Sequence, residues 1–222
     1  MKSIPKLKEL NRLNITLLLI AMSLFCFGLS IMRFFVTDTT FFLFLNWNLF
    51  LAFIPWLISS AVIIRGLTKK TPLAILTFSW LIFFPNSPYI LTDLFHLQSR
   101  SSAPIWYDLI VILSFAWTGL VYGFVSLMDI ENLFKRYISA RLAMMLSVFF
   151  LFLGSLGIYL GRYLRWNSWD IVSNPFGLFS DIFDRFLNPF VYPGAWAMTI
   201  LMGILLNMMY FSIKLMKKNN GI

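Results

Sequence analysis

The chain has 222 residues, 59% hydrophobic and 12% charged, with a mean hydropathy of +0.80. A soluble domain carries about twice that charged fraction to solvate its surface, so the composition excludes a water-soluble globule and requires apolar side chains to face lipid. The net charge of +9 does not mark a nucleic-acid binder, because the lysines and arginines fall on alternate connections between apolar runs and read as a topology signal.

Six stretches, near 13–32, 43–64, 72–91, 106–128, 142–160 and 194–213, are long enough to cross a hydrocarbon core of about 30 Å at ~1.5 Å per residue. Little chain remains for a soluble unit, so the expectation is one all-α transmembrane domain over residues 1–222 with six spans. With a cytoplasmic N-terminus, thirteen Lys and Arg residues, all nine lysines among them, fall on inner segments. Only Arg33, Arg100, Arg162, Arg165 and Arg185 fall on outer ones. That asymmetry orients the chain N-in and C-in. The location it suggests is a bacterial cytoplasmic membrane, crossed several times.

The first span has the basic start and apolar core of a signal sequence, but no small-x-small cleavage site follows, so a retained anchor is expected. The lone cysteine, Cys26, sits inside it and cannot form an internal disulfide. The second span opens with Asn46 and Asn48. In the third, the run LIFFPNSPYILTDLFH (81–96) is broken at Pro85–Pro88. Prolines lack N–H groups, so the carbonyls of Leu81 and Phe84 lose helical partners. In lipid such a break persists only against protein or a wet cavity. A new helix starting at Ser87-Pro88 and running over 86–97 would place Asn86, Tyr89, Asp93 and His96, the chain's only histidine, within an arc of about 80°. Asp108, just inside the fourth span, is expected at the same mouth.

The fifth span carries Gly154, Gly157 and Gly161, small residues that let helices approach closely. It leads into YLGRYLRWNSWD (159–170), where Arg162 and Arg165 lie three apart on one helix face, followed by Asn167, Ser168 and Asp170. Paired guanidiniums at headgroup level suit a phosphate or carboxylate. Asn174-Pro175 then reads as a helix cap and first position. Over 175–187, Leu178, Phe179, Ile182, Phe183, Phe186 and Leu187 share one face, and Ser180, Asp181, Asp184 and Arg185 the other. This predicts an amphipathic helix in the outer interface, or a lid on the bundle.

Three motifs, FLNWNLFLAFIPW (44–56), FFPNSPYILTDLFHL (83–97) and YLGRYLRWNSWD (159–170), give the chain its resemblance to a family of bacterial integral membrane proteins, the one catalogued as domain of unknown function 1361. The resemblance covers most of the chain from the second span onward. It implies a bacterial multi-span protein and brings no activity or substrate.

Three function classes fit these residues. In an enzyme, His96 would be general acid or base, oriented by Asp93 or Asp108. Asn86 or Ser87 would stabilise an oxyanion. Asn48, Asn86, Tyr89, Arg162, Arg165, Asn167 and Asp170 would hold a lipid or lipid-linked substrate by its anionic headgroup. A transporter would use the broken helix to bind an anion, although neither internal repeats nor a continuous polar path is visible. A scaffold would pair the polar groups with one another and do no chemistry. An enzyme or binder requires a cavity lined by Asp93, His96 and Arg162, whereas a scaffold leaves no room between them. One histidine and one cysteine cannot build a structural zinc site, and an oxygen-ligated Ca²⁺ or Mg²⁺ site would have to come from Asp93, Asp108 and Asp170. Nothing indicates a nucleotide or redox cofactor.

Overall fold

Backbone N–H and C=O groups in hydrocarbon must be satisfied within the chain itself, and each long apolar run of this protein meets that demand as a helix. The computed structural model describes residues 3–66, 70–97 and 103–219. Arg100, Lys2 and Lys69, counted above for topology, lie outside them. Helices α1 (Ser3–Thr37), α2 (Phe44–Ile64) and α3 (Lys70–Phe83) come first. A short α4 (Asn86–Tyr89) and a 3-10 helix (Ile90–His96) continue the third span. Then follow α5 (Ile105–Phe134), α6 (Ala140–Tyr163), α7 (Asp170–Ser173), α8 (Pro175–Leu187) and α9 (Pro193–Asn219). No strand occurs among the described residues, and six segments are long and apolar enough to cross a membrane.

Helix α5 is the centre of the bundle and has the most buried surface of the six. It packs on α1, α2, α6 and the broken segment, while α3 packs on α2 and α9 on α6. One apolar core joins α3, α5, α6 and α9 through Trp80, Phe84, Phe124, Leu127, Leu151 and Tyr210. A second joins α1, α2, α5 and the 3-10 helix through Leu19, Leu45, Leu49, Ile90, Ile112 and Phe115.

Ion pairs show which helix ends lie together. Arg12 of α1 donates to both carboxylate oxygens of Asp129 at 2.8 Å and to Ser60 of α2. Buried Glu131 accepts from Lys214 at 2.6 Å, Tyr210 at 2.7 Å and Ser147 at 3.1 Å, and pairs with Lys135. The start of α1 and the ends of α5 and α9 therefore share one end of the bundle, here the terminal face. The opposite end is the distal face.

The third span breaks where the prolines require it, but it restarts differently from the sequence expectation. Helix α4 begins at Asn86 without a side-chain cap and lasts only to Tyr89, and a 3-10 helix over Ile90–His96 replaces the rest of the α-helix expected over 86–97. A 3-10 helix repeats every three residues, so Asp93 and His96 stand directly in line. Nearby groups bond to the carbonyls of Phe84, Phe83 and Ile82 at the break. Ser87 N–H donates to Phe84 at 3.1 Å, Asn86 Nδ2 to Phe83 at 2.9 Å, and Ser168 Oγ to Ile82 at 3.0 Å. Glycines on two helices hold the break in place. A Cβ at Gly123 of α5 would lie 2.7 Å from Ser87 Cβ, and one at Gly157 of α6 would lie 2.6 Å from the Pro85 ring. The kink is wedged against α5 and α6 by close backbone approach.

One expectation for the region after α6 is corrected. The helix ends at Tyr163, and Arg165 adopts a left-handed conformation with φ 60°, so Arg162 and Arg165 do not share a helix face. Trp166 N–H closes the helix end on the Leu160 carbonyl at 3.2 Å. Helix α8 forms as predicted, capped by Asn174 Oδ1 accepting from Gly177 N–H at 3.1 Å. Part of its polar side bonds to neighbouring residues, while Ser180 is exposed. Trp166 Nε1 donates to Asp181 at 2.7 Å, Tyr192 Oη to Asp184 at 2.6 Å, and Arg185 is buried. Leu178 and Ile182 pack on the bundle, while Phe176, Phe179 and Phe183 are exposed.

Candidate functional site

Two features adjoin at the distal face: a charged network and a cleft. The network centres on Arg162, in the last turn of α6. Its Nη2 donates to Asp93 Oδ1 at 2.5 Å and to Thr92 Oγ1 at 2.7 Å, and Nε donates to the same Thr92 oxygen at 3.0 Å. Nη1 lies 3.1 Å from His96 Nε2. A guanidinium has no acceptor, so His96 Nε2 accepts this bond and the ring proton belongs on Nδ1. The guanidinium also stacks 4.5 Å from the Tyr89 ring centre. The second oxygen of Asp93 accepts from Asn48 Nδ2 of α2 at 2.8 Å.

This geometry brings Asp93, His96, Arg162, Asn48 and Tyr89 together and leaves Asp108 out. Arg33 of α1 donates to Asp108 Oδ1 at 2.7 Å in a separate buried pair, so Asp108 does not orient His96. Asp93 does not orient it either, since Arg162 and Asn48 engage its oxygens. The His96 ring instead packs edge-on against Phe44 at 5.2 Å. An acid–base pair on His96 is therefore not assembled. Ser87 is also committed, its hydroxyl donating to the Ala52 carbonyl at 3.0 Å. Thr92, which bridges Arg162 to the Tyr89 carbonyl at 2.7 Å, was not expected. Its only sequence signal was its place beside Asp93.

Beside the network lies a cleft of about 350 Å³ between α2, α3 and α6, covered distally by α7 and α8. Leu51, Phe78, Leu81, Leu153 and Leu156 form apolar walls, and Asn48, Asn86, Tyr89, Asn167 and Ser168 form a polar rim. Asp93, His96 and Arg162 do not line it, so the cavity expected around these three residues is not formed: they are paired with one another, and the cleft is built by their neighbours. The three support it from behind, through the bond to Asn48 and the stack on Tyr89. Asn86 Nδ2 donates to Ser168 Oγ at 2.8 Å, tying the loop after α6 to the break. Among the described residues, the Tyr89 hydroxyl has no hydrogen-bond partner.

Asp170 serves the loop and is not presented to the cleft. It accepts from Asn167 N–H at 2.7 Å and Ser173 Oγ at 3.0 Å. The Asn167 N–H is the main reason its carboxyl is held below the ordinary carboxylate range. Arg165 is exposed in the same loop. Arg33, Arg162 and Arg185 all have carboxylate partners, and among the described distal arginines Arg165 alone has none. No three His, Cys, Asp or Glu side chains gather as metal ligands among the described residues.

No curated protein and no solved structure matches the chain. A family model described as "Protein of unknown function (DUF1361)" matches residues 47–209. That range begins at the first turn of α2 and includes every residue of the cleft and of the Asp93–Arg162 network. On this match the chain belongs to that family.

Proposed function

We propose that the protein binds a membrane amphiphile with an anionic headgroup, such as a lipid-linked substrate, at the extracytoplasmic side of a bacterial cytoplasmic membrane. The positive-inside asymmetry makes the terminal face cytoplasmic and the distal face external. One observation carries the reading: a cleft apolar along its walls and polar at its rim, lined on one side by Trp166, Asn167 and Ser168 of the loop in which Arg165 is exposed and has no carboxylate partner among the described residues. This is the pattern of ligand pockets, mostly apolar with a few convergent polar groups. The amphiphile's chain lies among the leucines, and its headgroup meets Asn86, Tyr89, Asn167 and Ser168; in this reading Arg165, next to the lining residue Trp166 in the chain, turns to the headgroup's charge. The Asp93–His96–Arg162 network holds the rim and moves no proton. Its mutual pairing favours a second reading, a scaffold whose cleft holds only bulk lipid.

Native mass spectrometry of the protein in mild detergent separates the two, with Arg165→Gly as the informative variant. Glycine suits a left-handed position, so this variant is at least as stable as the wild type. A defined anionic lipid retained by the wild type and lost from Arg165→Gly is the expected result. Identical, non-selective lipid on both would leave the scaffold.

A further inference from the structure

We infer that the headgroup is a ring polyol, of the glycosyl or inositol class, joined to its lipid through the anionic group; this rests on the amphiphile reading above. The amides of the rim turn their oxygens outward. Asn48 Nδ2 donates to Asp93 at 2.8 Å, Asn86 Nδ2 to the Phe83 carbonyl at 2.9 Å, and Asn167 Nδ2 to Asp170 at 3.3 Å. An ionised carboxylate or a carbonyl only accepts, so each of these positions belongs to the amide nitrogen and the orientation of each amide is fixed. The Oδ1 oxygens of all three accept no hydrogen bond among the described residues. Those of Asn48 and Asn86 keep accessible surface although both residues are half-buried. Tyr89 adds its unpartnered hydroxyl to the same lining. Ser168 adds nothing, because its hydroxyl accepts from Asn86 and donates to Ile82.

The rim is therefore a set of acceptors, drawn from α2, the break and the loop after α6, and no charged side chain lines the cleft. An acceptor that loses its water and meets no donor weakens binding, so the fitting headgroup is one that brings donors. A bare phosphate or carboxylate sets acceptors against acceptors. An ammonium brings donors, but cations are held by carboxylates or by open aromatic faces. The Asp93 carboxylate stands behind the rim with Arg162 on it, and Arg162 also covers one face of the Tyr89 ring, 4.5 Å from its centre. Hydroxyls remain. A glycerol headgroup carries too few of them, on one short chain, for acceptors placed on three separate elements. A ring polyol carries hydroxyls around its whole edge, and its C–H faces suit Trp47 and Trp166, large aromatic side chains lining the same cleft.

The test measures the binding of four lipids with identical dioleoyl chains to the purified full chain in phosphatidylcholine nanodiscs. Phosphatidylinositol represents the ring polyols, phosphatidylglycerol the ordinary anionic bilayer lipid, phosphatidylethanol the bare phosphodiester and phosphatidylethanolamine the ammonium. The wild type is expected to bind phosphatidylinositol about tenfold more tightly than each of the others, one decade in Kd. Tyr89→Phe keeps the ring that stacks on Arg162 and removes a hydroxyl that holds nothing else in the fold. It should weaken phosphatidylinositol binding about fivefold, the worth of one hydrogen bond, and leave phosphatidylethanol unchanged. Asn167→Ala, whose backbone N–H still holds Asp170, should do the same. Equal binding of all four lipids, a preference for phosphatidylglycerol or phosphatidylethanolamine, or an undiminished inositol preference in both variants overturns the polyol inference. In each of those cases, weaker binding of the anionic lipids to Arg165→Gly keeps the amphiphile reading. Failure of every lipid to bind, or anionic binding that Arg165→Gly does not weaken, overturns the amphiphile reading itself and the polyol inference with it.

Discussion

Arg162 shows how much one side chain organises. It bonds Asp93, Thr92 and His96 at once and stacks on Tyr89. Removing it strands the buried Asp93 carboxylate, and losing one partner of a buried pair is expected to destabilise by about 3–5 kcal/mol. Arg162→Ala should show this as a lower unfolding midpoint in detergent. Arg162→Lys should recover little, because an ammonium lacks the planar fork that reaches three partners. The Arg162→Ala/Asp93→Asn double variant should be closer to wild type than the sum of the singles, since it removes the stranded charge. Strict additivity would mean that the two groups are not coupled.

At the scale of elements, the broken third span depends on glycines of its neighbours. Gly157→Ala drives a methyl group into the Pro85 ring, and overpacking of this kind destabilises by about 1–3 kcal/mol. Gly28→Ala in α1, where nothing lies within 4 Å, is the control and should be neutral or slightly stabilising. Equal effects at the two sites would show that the wedge is unimportant. Helix α8 carries a pH dependence. The Tyr192 hydroxyl holds Asp184, and the Asn167 N–H holds Asp170, below the usual carboxylate range. A depressed folded-state value means that their stabilisation is complete above the unfolded carboxylate pKa, about 4, and is lost as pH falls through the lower folded value. The protection of amides over residues 167–192, taken relative to the intrinsic exchange rate at each pH, should therefore fall on acidification below about pH 4. In Asp184→Asn/Asp170→Asn the same protection should no longer change across that range.

At the scale of the whole molecule, ion pairs at the two ends tie the bundle together. Arg12–Asp129 and Lys214–Glu131 join the first and last spans to α5 at the terminal face, and Arg33–Asp108 joins α1 to α5 at the distal face. The proposed orientation places Arg165 outside and Arg136 inside, and both are exposed. In a Cys26→Ser background, a membrane-impermeant thiol reagent should label Arg165→Cys on intact cells, and Arg136→Cys only after permeabilisation. The reverse pattern would invert the topology and move the cleft to the cytoplasmic side.

Features that depend on composition and short spacing were legible in the order of amino acids. Apolar runs of membrane-spanning length specify six helices, Pro85 and Pro88 remove N–H groups and break the third span, and Asn174-Pro175 with alternating charge specifies α8. Tertiary structure decided which distant groups meet. Asp108 turns to Arg33, seventy-five residues away in sequence, and Asp93 to Arg162, sixty-nine away, because helix packing and not spacing brings carboxylates and guanidiniums within reach. The left-handed turn at Arg165 and the 3-10 course of 90–96 were likewise hidden from periodicity, since both answer to the neighbours that the chain packs against. So was the cleft, a space between helices that no one segment encodes.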